Sequence, residues 1–239
     1  AKIAEREIVK KGLTIEQIKQ YVKEDGANIN KDNAKALDNA VEEADLEKVK
    51  VILELGASPN LKKGPDAAIS KAKGLDMIKL LVSYGSDMTG DVFTQVLDDE
   101  DALEYCLKAG LDPNFNNFAP FRKVTKGSWI NKDQIGESYF DAFKMLLKYG
   151  AKLSDERGRN MIIKWAGEYA RFDILKYLEE NGQAKEFTDA DWEAGILWIN
   201  HSRKINEEKK VAETVYKVHA YITDKDAGVA GLKKLIESI

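Results

Sequence analysis

The stretch LEKVKVILELGASPN at residues 46–60 decides the fold, and DMIKLLVSYGSDMT at residues 76–89 repeats its plan. Each carries an amphipathic run into a glycine, a small residue and a short polar turn. The same phrase closes on Gly26, Gly56, Gly85, Gly110, Gly150 and, in weaker form, Gly182, at intervals of 30, 29, 25, 40 and 32 residues. Aligned on those glycines, the residue four places earlier is Val22, Ile52, Leu81, Cys106, Leu146 or Leu178, and the residue five places earlier is Tyr21, Val51, Leu80, Tyr105, Met145 or Tyr177. Seven places earlier stand Val49, Ile78, Leu103, Phe143 and Leu175, with Lys19 the exception, whereas every residue two or six places earlier is polar. Apolar positions at this spacing form one stripe on a helix of 3.6 residues per turn, whereas a strand would alternate. The glycine suits a helix end in the left-handed conformation, which other residues reach only at a steric cost.

Ahead of each such helix lies a shorter apolar segment, around residues 36–41, 67–69, 92–97 and 162–166, which predicts a first helix paired with the second. Pro65 and Pro120 fit the first turn of these helices, where the missing N–H is not needed. The expected fold class is therefore all-α, a helix-turn-helix solenoid of about six repeats.

Composition agrees and excludes several alternatives. The 239 residues are 44% hydrophobic, enough to bury a core, and 33% charged, with 37 basic and 41 acidic side chains giving a net charge of −4. No single-sign field covers the molecule, which argues against a protein that grips nucleic acid or membrane over its whole face. One cysteine forms no intramolecular disulfide, and two histidines offer little to a metal. No apolar run approaches the ~20 residues of a membrane helix. The first twenty residues, AKIAEREIVKKGLTIEQIKQ, lack a secretory apolar core, so the expected location is the cytoplasm, where Cys106 stays reduced.

The repeating units resemble the ankyrin repeat family over residues 14–185. Residues 46–60 and 76–89 look like that family's second helix and following turn, APFRKV at residues 119–124 is similar to its Thr-Pro-Leu-His-x-Ala opening, and Gly158-Arg159-Asn160 stands where Gly-Arg-Thr is usual. No unit carries the Thr and His of that opening, so regular hairpin fingers are not expected. The unit ending at Gly110 is short and predicts a clipped first helix. Residues 1–13 are expected to cap the first unit and residues 186–239 to form a C-terminal helical cap, with Trp192, Ile196 and Leu197 on one helix and Val211, Val215, Val218 and Ile222 on the next. The resemblance implies a non-catalytic module that binds another protein through a concave face of loop tips and first helices. For members this divergent, it also implies an inhibitor of a host or defence protein.

The repeat breaks most visibly between Gly110 and Gly150, where about ten residues are inserted near residues 127–138. Phe115, Phe118, Phe121 and Trp129 there interleave with Arg122, Lys123, Lys126 and Lys132, a mixture that suits either a protein partner or stacking on single-stranded bases. The bland alternative has Phe121 in the core, Phe115 and Phe118 packed on a neighbouring unit, and Trp129 holding the insertion down. The residues expected to bind the partner are Phe115, Asn116, Asn117, Phe118, Arg122, Lys123 and Trp129, with Asn60, Lys62 and Lys63 from an earlier loop. Nucleic-acid binding through the aromatic and basic insertion is the alternative. The acidic run DDEDALE at residues 98–104 reads as a solvated turn with Asp101 capping the following helix.

No constellation for catalysis emerges, and neither a cofactor nor a metal is expected. His201 and His219 lack metal-binding spacing. The segment from Asp224 misplaces the glycine and lacks the terminal Glu of a calcium loop. Cys106 occupies an aligned position that is otherwise Val, Ile or Leu and reads as a buried small hydrophobe.

Overall fold

The structure, a computed structural model, describes residues 2–126, 137–152, 174, 177, 178, 180 and 181. The chain divides into two compact units, residues 1–112 and 113–239. Helices account for the regular structure, and there is no strand among the described residues. None of the described helices is long and apolar enough to cross a membrane. The expected segments at 162–166 and 186–239, and the turn at Gly182, lie outside the described residues.

In the first unit, α1 (Lys2–Glu7) and α2 (Ile15–Lys19) precede α3 (Lys31–Glu42), α4 (Leu46–Glu54), α5 (Leu75–Ser83), α6 (Phe93–Val96) and α7 (Glu100–Lys108). The alignment on glycines predicts the buried stripe well. Val49, Ile78 and Leu103, seven residues before the glycine, and Ile52, Leu81 and Cys106, four before it, are all fully buried, whereas Val22, four before Gly26, is only half-buried. Positions five before it, Val51, Leu80 and Tyr105, are only half-buried. They stand about 100° round the helix from the core row, at the edge of the stripe.

Four of the second helices close in the same way, whereas the one before Gly26 ends in a π-helical turn, Gln20–Glu24, with Ala27 N–H donating to Tyr21 O at 2.8 Å. Gly56 N–H donates to Leu53 O at 3.0 Å and Ala57 N–H to Ile52 O at 3.2 Å, and the same bond pair recurs at Gly85, Gly110 and, in the second unit, Gly150. This is the Schellman arrangement, which requires a left-handed residue. The four glycines supply it with φ between 84° and 101°. In the first unit, two of the three second helices after α2 start on an aspartate cap: Asp45 accepts from Lys48 N–H at 2.9 Å and Asp99 from Ala102 N–H at 3.0 Å. The cap of α7 is thus Asp99, not Asp101, because Asp99 carries the extended backbone that aims its carboxylate at the first free N–H groups.

First segments lie beside first segments and second helices beside second helices. Here α2, α4 and α5 form one row, and α3, the 3-10 turn Ala68–Lys71 and the 3-10 turn Gly90–Val92 with α6 form the other. The first segments shorten along the chain. Residues expected to open a helix after Pro65 form two 3-10 turns, Gly64–Asp66 and Ala68–Lys71, and the clipped first helix of the unit ending at Gly110 is the four-residue α6. Pro65 stands at the start of its turn, where its lack of an N–H is harmless. Below α3 the segment before residue 14 is held by Asn39 Nδ2, which donates to Val9 O at 3.0 Å, and by Ile8 in the core.

In the second unit, α8 (Phe115–Lys126) packs on α9 (Glu137–Lys148). Phe121 and Phe143 are buried, with ring centroids 5.5 Å apart in an edge-to-face arrangement.

Candidate functional site

The exposed edge of the array is its turns, and an asparagine four residues after each of three glycines ties one turn to the next. Asn30 Nδ2 donates to Gly56 O at 3.0 Å while its Oδ1 accepts from Ser58 N–H at 2.7 Å. Asn60 repeats this on Gly85 O at 2.8 Å and Asp87 N–H at 2.9 Å, and Asn114 on Gly150 O at 3.3 Å and Lys152 N–H at 2.9 Å. A primary amide offers a donor and an acceptor side by side, so it pairs with backbone as another peptide group would. Aspartate would lose the donor, and glutamine is a methylene too long.

The ladder changes where the residue changes. Ahead of the first rung, Glu5 Oε1 takes the N–H of Asn28 at 2.7 Å, the bond that a preceding asparagine would accept. At the corresponding place after Gly85 stands Thr89. Its hydroxyl lies 2.8 Å from Ser70 Oγ, which itself donates to Gly64 O at 2.7 Å, so Thr89 is the donor of that pair.

Two turns cross into their first helix through a left-handed step. Asp32, Asn33 and Ala34 hold φ of 52°, 58° and 59°, and Asn116, Asn117 and Phe118 hold 47°, 53° and 64°. Asn and Asp tolerate this region better than other non-glycine residues. Their side chains stand at the exposed tip while Ala34 and Phe118 are buried at its base.

The residues expected to bind a partner fall into two groups, one in each unit. In the first, Asn60 is half-buried and both ends of its amide serve the ladder, so its place is structural. Lys62 is bonded to Asp38, a carboxylate whose side chain is only 4% exposed, and Lys71 approaches the same oxygen at 3.4 Å. Lys63 is 77% exposed and pairs across the turns with Asp87 at 3.5 Å. In the second group Asn116, Asn117 and Lys123 are exposed, Phe115 is half-buried, and Phe118 is buried against Phe121 with centroids 6.5 Å apart. Trp129 and the side chain of Arg122 lie outside the described residues. Phe118 and Phe121, both buried, offer no ring to a nucleic-acid base.

Sequence reasoning singles out neither Asn30, Asn114 nor Asp38, and reads the paired carboxylates Glu42 and Glu43 as an ordinary solvated helix end. The recurrence of Asn four residues after Gly26, Gly56 and Gly110 was a readable signal; the carboxylates carried none, since an acidic residue on a helix is ordinary. Glu42 accepts from Lys11 Nζ at 2.9 Å, which holds its carboxyl below the usual range and raises Lys11. Glu43 is likewise lowered, by Lys48 and by the N–H of Gly12. Burial, and then the charge of Asp99, pushes the Cys106 thiol up to about 11. That favours the neutral thiol over a nucleophile. His, Cys, Asp and Glu form no group of three able to hold a metal among the described residues.

No protein-family model, no curated protein and no solved structure matches this chain.

Proposed function

We propose that the chain is a non-catalytic protein-binding module built from ankyrin-type units, which meets its partner with the turn tips and the first-helix row. The observation that supports this most is the asparagine ladder. Binding through loops ordinarily loses affinity to the entropy of ordering them. Rungs at Asn30, Asn60 and Asn114 hold successive turns against one another before any partner arrives. The tips so held, Asp32-Asn33 and Asn116-Asn117, are exposed, polar and kept in a conformation that costs energy in a free chain.

The test is affinity capture from the native cell with the full chain. One variant reverses tip charges in the first unit, Asp32→Lys with Lys63→Glu, a second reverses Lys123→Glu in the second unit, and a third reverses Lys50→Glu on the exposed side of α4. A partner held by the wild type and the Lys50 variant but lost from either tip variant is the expected result. Equal recovery by all four proteins would move the binding surface away from the turns.

A further inference from the structure

We infer that the lysine cluster on the first-helix row of residues 1–112 receives an acidic segment of the partner protein, an assignment that rests on the function proposed above. The cluster is built around α3. Asp38 and Glu42 lie four residues apart and therefore on one face of that helix. Lys62 and Lys71 converge on the buried carboxylate of Asp38, and Lys71 also reaches Glu42 at 3.6 Å. Lys11 meets Glu42 at 2.9 Å from the other side. Lys35, on the same helix, acts on Glu42 as a further positive neighbour. Lys11, Lys62 and Lys71 thus pair with two carboxylates, Lys35 stands one turn before Asp38 on α3, and the cluster keeps an excess of positive charge although the chain as a whole is at −4.

Burial makes this more than a scatter of surface lysines. Were Lys62 and Lys71 to swing away, the Asp38 carboxylate would be left charged and unpaired inside the fold, which is strongly unfavourable. Their ammonium groups are therefore fixed in place while their side chains keep about a quarter of their surface open. A docking carboxylate would add charge-assisted hydrogen bonds without first ordering the lysines.

Charge is also segregated along the chain. Residues 80–107 contain seven acidic residues and no Lys or Arg, and Asp98, Asp99, Glu100 and Asp101 are exposed. An acidic peptide of limited length can lie on the lysines alone, whereas a polyphosphate backbone continuing along the same row meets Asp91 in the Gly90–Val92 turn and the acidic run that follows α6. Phe93, the aromatic residue of this row, is buried and cannot stack on a base. Both features favour an acidic peptide over a nucleic acid.

Fluorescence anisotropy on the full chain tests this with three labelled probes of equal length: an alternating glutamate-glycine peptide, a lysine-glycine peptide and oligo-dT. The glutamate peptide should bind, the lysine peptide should not, and Lys11→Glu combined with Lys35→Glu should weaken the glutamate peptide by roughly tenfold or more, as should a rise in salt. Circular dichroism establishes that the double variant is folded, and Lys35→Gln, which leaves the Lys62 and Lys71 pairs with Asp38 in place, should show a smaller loss in the same direction. No binding of the glutamate peptide, equal binding by the double variant, or tighter binding of oligo-dT would each overturn the inference. Capture from the native cell separates its failure from that of the module itself. A partner lost from the tip variants but kept by Lys11→Glu with Lys35→Glu leaves the binding module standing and removes the acidic docking site.

Discussion

Ala44 ends α3 at φ 56°, donating its N–H to Val41 O at 3.0 Å, while Asp45 N–H reaches back to Ala40 O at 3.2 Å. It holds the place that glycine takes at the ends of α4, α5 and α7, and its methyl group brings the left-handed penalty with it. Ala44→Gly should therefore raise stability, by about 0.5–1 kcal/mol, read as a shift of the urea midpoint without a change in slope. A decrease would mean that the exposed methyl packs in a way the helix end does not reveal. Cys106 offers a second check. With its thiol buried and its pKa near 11, it should resist iodoacetamide at pH 8 in the native protein and react on unfolding. Labelling of the folded chain at the rate of a free thiol would contradict that burial. Only one of the two was readable beforehand. Cys106 was placed in the core by its alignment with Val, Ile and Leu, but nothing in the sequence marks Ala44 as left-handed, because alanine is also the strongest helix former.

Among the elements, the turns are the point where side chains act as backbone. Removing a rung by Asn60→Ala leaves Gly85 O and Asp87 N–H without their protein partners at a partly wet site. The expected loss is about 1–2 kcal/mol, less than for a fully buried pair since water can take over part of the bonding. Hydrogen exchange distinguishes this from a general loosening: Asp87 N–H should lose protection well beyond that of Leu81 in α5. Uniform change across both would show that the amide is not a local tie. The second helices were legible from the 3.6-residue pattern because one face meets the core and the other meets water. The first segments were less so. Around Ala68 and Phe93 they are too short to show a period, and whether such a segment becomes an α-helix or a 3-10 turn depends on the space left by its neighbours.

The whole molecule couples these parts through charge as well as packing. Glu42 and Glu43 join the segment before residue 14 to α3 through Lys11 and the N–H of Gly12, and both carboxyls lie below the ordinary value of 4.5. A carboxyl lowered on folding contributes stability in full above its unfolded value and loses it as pH falls through the folded one. Acid unfolding should thus set in below about pH 4.5, and Glu42→Gln with Glu43→Gln should flatten that decline while lowering stability only slightly at neutral pH. Equal acid sensitivity of wild type and double variant would assign the decline to other groups.

Glycine spacing and apolar stripes, taken by themselves, determined that the described residues are helical, and where the second helices that end at Gly56, Gly85, Gly110 and Gly150 stop. These are local matters, settled by the steric freedom of one residue and the periodicity of its neighbours. Only the tertiary structure decided that Asn60 braces a turn instead of waiting for a partner, that Phe118 lies in the core, and that Lys62 and Lys71 gather on a buried aspartate of α3. Each of these joins residues some 24 to 33 positions apart or depends on which side of a turn faces inward. An amide, a phenyl ring or an ammonium group carries no mark of its distant neighbour until folding brings the two together.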